Sequence, residues 1–207
     1  RPALKDLVLT NTLISAELTS NVQLVHEITQ HIIKNRGKQL RPLTVILSAC
    51  ACGYPGETAT EHRELAAIIE FVHTATLLHD DVIDESKLRR GQQTANAVWD
   101  NQATVLAGDF LYSRAFQMLA RRSNITIMQC LANTTNAIAE GEIQQLMNQN
   151  NPEISKEAYQ QVIYRKTAKL FESAAEIGAI LAQQDQTIQQ ALADYGRHLG
   201  MAFQIID

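Results

Sequence analysis

Apolar residues recur along this chain at three- and four-residue intervals, and no segment alternates like a strand for more than a few residues. The clearest case begins at Glu61, where Leu65, Ile68, Ile69, Val72, Ala75, Leu77 and Leu78 follow helical spacing. Thr58 with Glu61 three residues on predicts a capping box for its start. Upstream, residues 1–19 read as a helix carrying Leu4, Leu7, Val8, Leu13, Ile14 and Leu18. Ser20 with Gln23 predicts a second start, with the helix reaching about Lys34. A break at 35–37 precedes a third helix, which starts around Arg41-Pro42 and ends at Gly53 before a Gly-Tyr-Pro-Gly turn. Downstream, 94–122 read as one helix or a pair broken near Gly108-Asp109. Further helices are predicted from Asn124 to Asn148, from Ser155 to Ala182, and from Thr187 to the end. The pattern predicts an all-α fold, one domain over 1–207, built as a bundle of more than four helices around a central cavity.

Composition agrees with that reading. The 207 residues are 45% hydrophobic, enough for one ordinary core, and only four prolines and nine glycines interrupt the helices. A net charge of −4 argues against nucleic acid or an anionic membrane surface as partner, so any anion site must concentrate positive charge locally. Cys50, Cys52 and Cys130 are odd in number, and the first two are expected as buried free thiols in a reducing, cytoplasmic compartment. No signal peptide or membrane-length apolar run is visible. The chain starts at Arg1 and stops at Asp207, so both ends are expected to be limits of the given sequence rather than of the gene product.

The chemistry concentrates where the long helix ends. Asp80 and Asp84 are four apart and project from one face, where like charges repel. Arg89 and Arg90 follow, and His73 lies two turns before Asp80 on roughly the same side. A solvated acidic helix end is the ordinary explanation of such a pair. The apolar helix leading into it and the adjacent arginines favour a metal–diphosphate site instead. Mg²⁺ takes oxygen ligands and commonly joins one or two carboxylates to substrate phosphates, while guanidinium forks suit phosphate oxygens. Lys38 and Arg41, at a loop-to-helix junction, read as a second anion site.

The stretch HDDVIDESKLRRG at 79–91 resembles the first aspartate-rich motif of the trans-isoprenyl diphosphate synthases (polyprenyl synthetases). GKQLRP at 37–42, FVHTATLLHDD at 71–81, GDFLYSRAF at 108–116, YRKTAKLF at 164–171 and GMAFQIID at 200–207 continue the likeness in the family's order. The wording is closest to that of the bacterial octaprenyl diphosphate synthases. The resemblance implies the isoprenoid synthase type of all-α fold, a homodimer, and a further C-terminal helical portion. It implies an enzyme that condenses an allylic prenyl diphosphate with isopentenyl diphosphate to give a long all-trans chain, with octaprenyl diphosphate for quinone side chains as the expected product. By resemblance, Lys38, Arg41, His73 and Arg90 hold isopentenyl diphosphate, and Arg89, Lys166, Thr167 and Gln204 hold the allylic diphosphate. Asp80, Asp84 and Asp207 are the implied Mg²⁺ ligands, Asp207 standing at the start of the second aspartate-rich motif. Arg89 and Lys166 are further implied to stabilise the departing diphosphate.

Rival readings are a shorter-chain farnesyl or geranylgeranyl synthase, a non-catalytic partner subunit, and a plain cation-binding helical protein. The intact acids and arginines oppose the second, and the two basic clusters oppose the third. Short-chain family members commonly carry a bulky aromatic four or five residues before the first aspartate. Here Ala75 and Thr76 stand there, so a product path along that face, past Val72, is expected to stay open.

Overall fold

The structure is a computed structural model describing residues 2–34, 37–56, 58–122, 124–149 and 153–206. Its elements are α1 (Pro2–Glu17), α2 (Gln23–Lys34), α3 (Leu40–Ala51), α4 (Glu61–Ile83), β1 (Leu88–Arg89), β2 (Gln92–Gln93), α5 (Ala95–Val98), α6 (Asn101–Ala120), α7 (Ile125–Asn148), α8 (Lys156–Ile163), a π-helical turn (Tyr164–Ala168), α9 (Lys169–Leu181) and α10 (Gln186–Ile206). α4 is apolar around most of its circumference, as a central helix must be. Ala66, Ala67, Ile68, Ile69, Phe71, Val72 and Ala75 are all buried. α1, α3, α6 and α9 pack around it. The core continues through Ile46, Leu111, Leu119, Ile127, Leu131 and Ile177. The all-α expectation holds, apart from one small hairpin.

Local starts and stops differ from expectation for identifiable reasons. α4 begins at Glu61, but the Thr58 hydroxyl donates to the Pro55 carbonyl and Glu61 is taken by the Tyr54 hydroxyl, so no capping box forms. Ser20 accepts the Val22 N–H, and α2 starts at Gln23. The break between α5 and α6 falls at Trp99-Asp100, because the Asp100 carboxylate caps α6 by accepting from the Ala103 N–H at 2.7 Å. Gly108 continues α6, with the His79 ring standing where a side chain would lie. Asn124 and Ser155 cap α7 and α8 as ordinary N-caps. The segment expected as one helix from Ser155 to Ala182 is divided by the π turn, a feature often found at functional sites.

The hairpin β1–β2 escaped the sequence pattern because its strands have two residues each. Its turn, Arg90-Gly91, has φ of 53° and 76°, the double left-handed geometry of a two-residue type I′ connection. The three cysteines are free, but Cys50 is exposed and Cys52 half-buried rather than buried. α3 spends its inward face on Val45, Ile46, Ser48 and Ala49, which turns Cys50 outward. Among the described residues no helix is long and apolar enough to cross a membrane.

Candidate active site

Two polar clusters flank the C-terminal end of α4. The first faces a cavity of about 740 Å³ lined by Lys38, Arg41, His73, Asp81, Arg89 and Arg90 among others. Its apolar wall includes Leu77, Leu78 and Phe203. The α2–α3 connection reaches the cavity through Gln39, whose φ of 53° turns the chain into α3. Gln39 is held there by a reciprocal amide pair with Asn11 of α1, at 2.6 and 3.0 Å. The Arg90 guanidinium packs against Gly37, in space that any side chain at that position would take.

Arg41 and His73 form the floor of this cluster. The Arg41 Nη1 donates to the His73 Nε2 at 3.1 Å, and its guanidinium lies over the Phe171 ring at 4.4 Å. Burial lowers the Arg41 pKa to about 10, with Glu70 opposing and Arg90 reinforcing the shift, so the group remains charged at neutral pH. Burial and then the charges of Arg41, Arg90 and Arg89 hold His73 well below its ordinary 6.5. The ring is therefore neutral, and its Nε2 is the acceptor that Arg41 requires.

The neutral His73 makes a pH prediction. Unfolding frees the ring to bind a proton near pH 6.5, whereas the folded ring binds one only at much lower pH. The unfolded state thus holds more protons in that window, and stability falls as pH drops below about 6.5. His73→Gln should flatten that part of the curve of denaturation midpoint against pH. An unchanged slope would show that the ring is not held neutral.

Asp81 holds Arg89, a role the sequence reading did not give it. Arg89 donates from Nε and Nη2 to Asp81 Oδ1 at 3.0 and 2.8 Å. The Asp81 carbonyl accepts from the Ser86 N–H and, with the Ser86 carbonyl, from the buried Asn96 amide. The loop carrying Asp84 is pinned by these bonds, and His31 of α2 meets the Gln93 carbonyl at 2.9 Å on the hairpin's other side.

The second cluster lies on the side of Asp80. Asp80 is buried, and its Oδ2 is 3.3 Å from the Lys166 ammonium. Lys166 also donates to Glu142 Oε2 of α7 at 2.7 Å. Burial works against the charged lysine, but Glu142 and Asp80 outweigh it and its pKa rises. Burial pushes Glu142 up, with Lys166 opposing and the charge of Asp80 adding to the rise. Tyr112 is pushed up to about 12 by burial and by the same two carboxylates. Beside Lys166 on the π turn, the Thr167 hydroxyl donates to Gln204 of α10 at 2.9 Å.

The residues singled out in the sequence thus fall into two groups on either side of one helix end. Lys38, Arg41, His73, Arg89 and Arg90 meet at the cavity, and Asp80 meets Lys166 while Thr167 meets Gln204. Asp84 caps the end of α4 and is exposed. Asp207 lies outside the described residues. No group of three or more His, Cys, Asp or Glu side chains is gathered for a metal among the described residues. Asp80 and Asp84 still present two hard-oxygen donors at one helix end, a set that suits a small divalent cation sharing its other positions with phosphate and water. Asp81 and Glu142 were missed. Each is recognised only through a partner that folding brings to it, Arg89 across the loop and Lys166 on another helix.

Comparison with known proteins places the chain in a family and a fold. A profile of the polyprenyl synthetase family matches residues 22–207. Octaprenyl diphosphate synthase of Escherichia coli (strain K12) is 49% identical over 203 residues, covering 98% of this chain and 62% of the relative. A decaprenyl diphosphate synthase structure from Rhodobacter capsulatus superposes with a TM-score of 0.94 at 44% identity, over 99% of this chain and 62% of that one. A polyprenyl synthase from Caulobacter crescentus CB15, complexed with calcium and isoprenyl diphosphate, gives a TM-score of 0.94 at 41% identity, over 99% of this chain and 61% of that one. The chain therefore spans less than two thirds of the length of the relatives it matches.

Proposed function

The chain belongs to the polyprenyl synthetase family, and on that premise we propose that its protein condenses an allylic prenyl diphosphate with isopentenyl diphosphate into a long all-trans polyprenyl diphosphate. The observation that carries the reading is the pairing of a cationic cavity with a carboxylate–lysine cluster at the end of one helix. Two diphosphates need two such sites next to each other, and holding the reactants side by side supplies much of the rate gain. Octaprenyl diphosphate is the preferred product, resting on the similarity to the Escherichia coli octaprenyl diphosphate synthase, with quinone side chains as the use that the family resemblance implies; the Rhodobacter capsulatus structure is of a decaprenyl diphosphate synthase at similar identity. A cytoplasmic homodimer, with the described helices as one synthase domain, belongs to the same proposal.

In this scheme Lys38, Arg41 and Arg90 hold the diphosphate of isopentenyl diphosphate. His73 accepts from Arg41 and fixes the plane of its guanidinium. Arg89 lines the cavity, where Asp81 fixes it in the same way; it is assigned, with Lys166, Thr167 and Gln204, to the allylic diphosphate, which in this scheme lies next to that cavity. Arg89 and Lys166 oppose the charge that builds on the leaving oxygen. Asp80 and Asp84, with Asp207, would hold Mg²⁺, which when bound neutralises charge on the departing diphosphate. Leu77, Leu78 and Phe203 exclude water from the allylic cation, which water would otherwise capture. The alkene of isopentenyl diphosphate attacks that cation, and the departed diphosphate takes the proton whose loss restores a double bond.

The test is to incubate the full-length protein with farnesyl diphosphate, isopentenyl diphosphate and Mg²⁺ and measure product length. Val72 and Ala75 are packed in the core with 1% and 0% exposure, so they do not border an open path. Thr76 is partly buried, its hydroxyl donating to the His73 carbonyl. Ala75→Phe should therefore cost about 1–3 kcal/mol of stability through overpacking. Thr76→Phe should be tolerated and shorten the product. A folded Thr76→Phe protein that makes the unchanged chain would refute a path along this face. Absence of any condensation by the wild type would refute the function itself.

A further inference from the structure

Lys166 has two carboxylate partners, and in the proposed reaction it can rely on only one of them. Asp80 is assigned to the cation and the allylic diphosphate, so its 3.3 Å contact with Lys166 is the one substrate would disturb. The lysine side chain is only 22% exposed. Without a second counter-charge, a half-buried ammonium would be free to swing out to water or to collapse onto Asp80. Glu142 is that second counter-charge, closer at 2.7 Å and itself 19% exposed.

The backbone is built to bring them together. α7 approaches the π turn at Gly141, where an added Cβ would stand 2.7 Å from the Arg165 Cβ and 3.0 Å from the Lys166 backbone nitrogen. That approach sets residue 142 beside the Lys166 side chain. On the other side of the π turn, Thr167 is tied to Gln204. The two neighbouring residues of the turn are thus each anchored to a different helix.

We propose that Glu142 is a positioning residue for the allylic-diphosphate side, holding the Lys166 ammonium in place when Asp80 is engaged. The inference rests on the function proposed above and adds a residue to it. Glu142 acts through Lys166, so its loss should be felt where Lys166 is felt and nowhere else.

The experiment compares Glu142→Ala, Glu142→Gln, Lys166→Ala and the double alanine variant of the full-length protein. Farnesyl diphosphate and isopentenyl diphosphate are varied in turn, and binding of the unreactive farnesyl thiolodiphosphate is measured by calorimetry. A lost hydrogen bond to a charged group predicts a rise of about tenfold in the KM for farnesyl diphosphate in Glu142→Ala, with similar weakening of the analogue. The KM for isopentenyl diphosphate should stay within about twofold, because the Arg41–His73 cluster is untouched. Glu142→Gln should recover only part of the loss, since its carboxamide oxygen still accepts from the ammonium but brings no counter-charge. The double variant should be no worse than Lys166→Ala alone. An unchanged farnesyl KM in folded Glu142→Ala, or additive losses in the double variant, would overturn the proposal while leaving the function standing. If Lys166→Ala itself leaves allylic binding intact, the assignment of Lys166 fails and this inference fails with it.

Discussion

Asp80→Ala lowers turnover by about 10³-fold while leaving the fold nearly as stable as before. The two halves of that expectation come from different neighbours. Asp80 is one of the two described carboxylates assigned to the divalent cation, and charge stabilisation of that kind is worth several kcal/mol in the transition state, about 10³ in rate. Stability responds differently. The charge of Asp80 raises the pKa of Glu142, so the two carboxylates crowd each other, and Lys166 keeps its bond to Glu142 when Asp80 is removed. The lost ion pair and the relieved repulsion oppose each other, and because Lys166 keeps Glu142 no unpaired buried charge is left, so the change should stay well below the roughly 3–5 kcal/mol of a broken buried pair. Turnover under saturating substrates and the thermal midpoint should be measured on the same preparation, together with the Mg²⁺ dependence of farnesyl thiolodiphosphate binding. Near-normal turnover would remove Asp80 from the site. A collapsed thermal midpoint would mean that its role is structural.

The contrast between Asp80 and Asp81 marks how far the chain could be read before folding. Helical spacing revealed α4, and the charges at its end revealed the kind of chemistry, because both are local patterns. Spacing also put Asp80 and Asp84 on one face. It gave no role to Asp81, whose partner Arg89 comes back only after a hairpin turn with two left-handed residues. Glu142 lies 24 residues from Lys166, and its importance depends on the close approach of α7 to a π turn that no periodicity announces. The capping boxes failed for a similar reason. Thr58 and Glu61 had competing partners in Pro55 and Tyr54, which local propensity does not weigh. The resemblance to a family supplied the site residues that spacing alone left ambiguous, notably His73 and Thr167. It did not supply Asp81 or Glu142, because their contribution is to hold other residues.

Arg41→Ala should raise the KM for isopentenyl diphosphate by about a hundredfold, and Arg41→Lys by about tenfold. Arg41 is fixed from several directions. Its Nη1 donates to the neutral His73, its face lies on Phe171, and Glu70 opposes the effect of burial on its charge. A guanidinium held in one plane meets diphosphate oxygens without further ordering, which is where its advantage over a flexible ammonium arises. Removing a buried, hydrogen-bonded charge from a binding site typically costs about 2–5 kcal/mol, from which the larger figure follows. Lysine restores the charge but neither the fork nor the stacking, so the smaller figure applies to it. Stability should also fall in Arg41→Ala, because Glu70 loses a nearby cation in a buried setting. Arg41→Lys is therefore the cleaner probe of binding. The KM for the allylic substrate should stay within about threefold in both variants, since Lys166 is held by Asp80 and Glu142 and Thr167 by Gln204, none of them a hydrogen-bond partner of Arg41. Equal losses for the two substrates would show that the cavity does not separate them, and the division of labour between the two clusters would have to be abandoned.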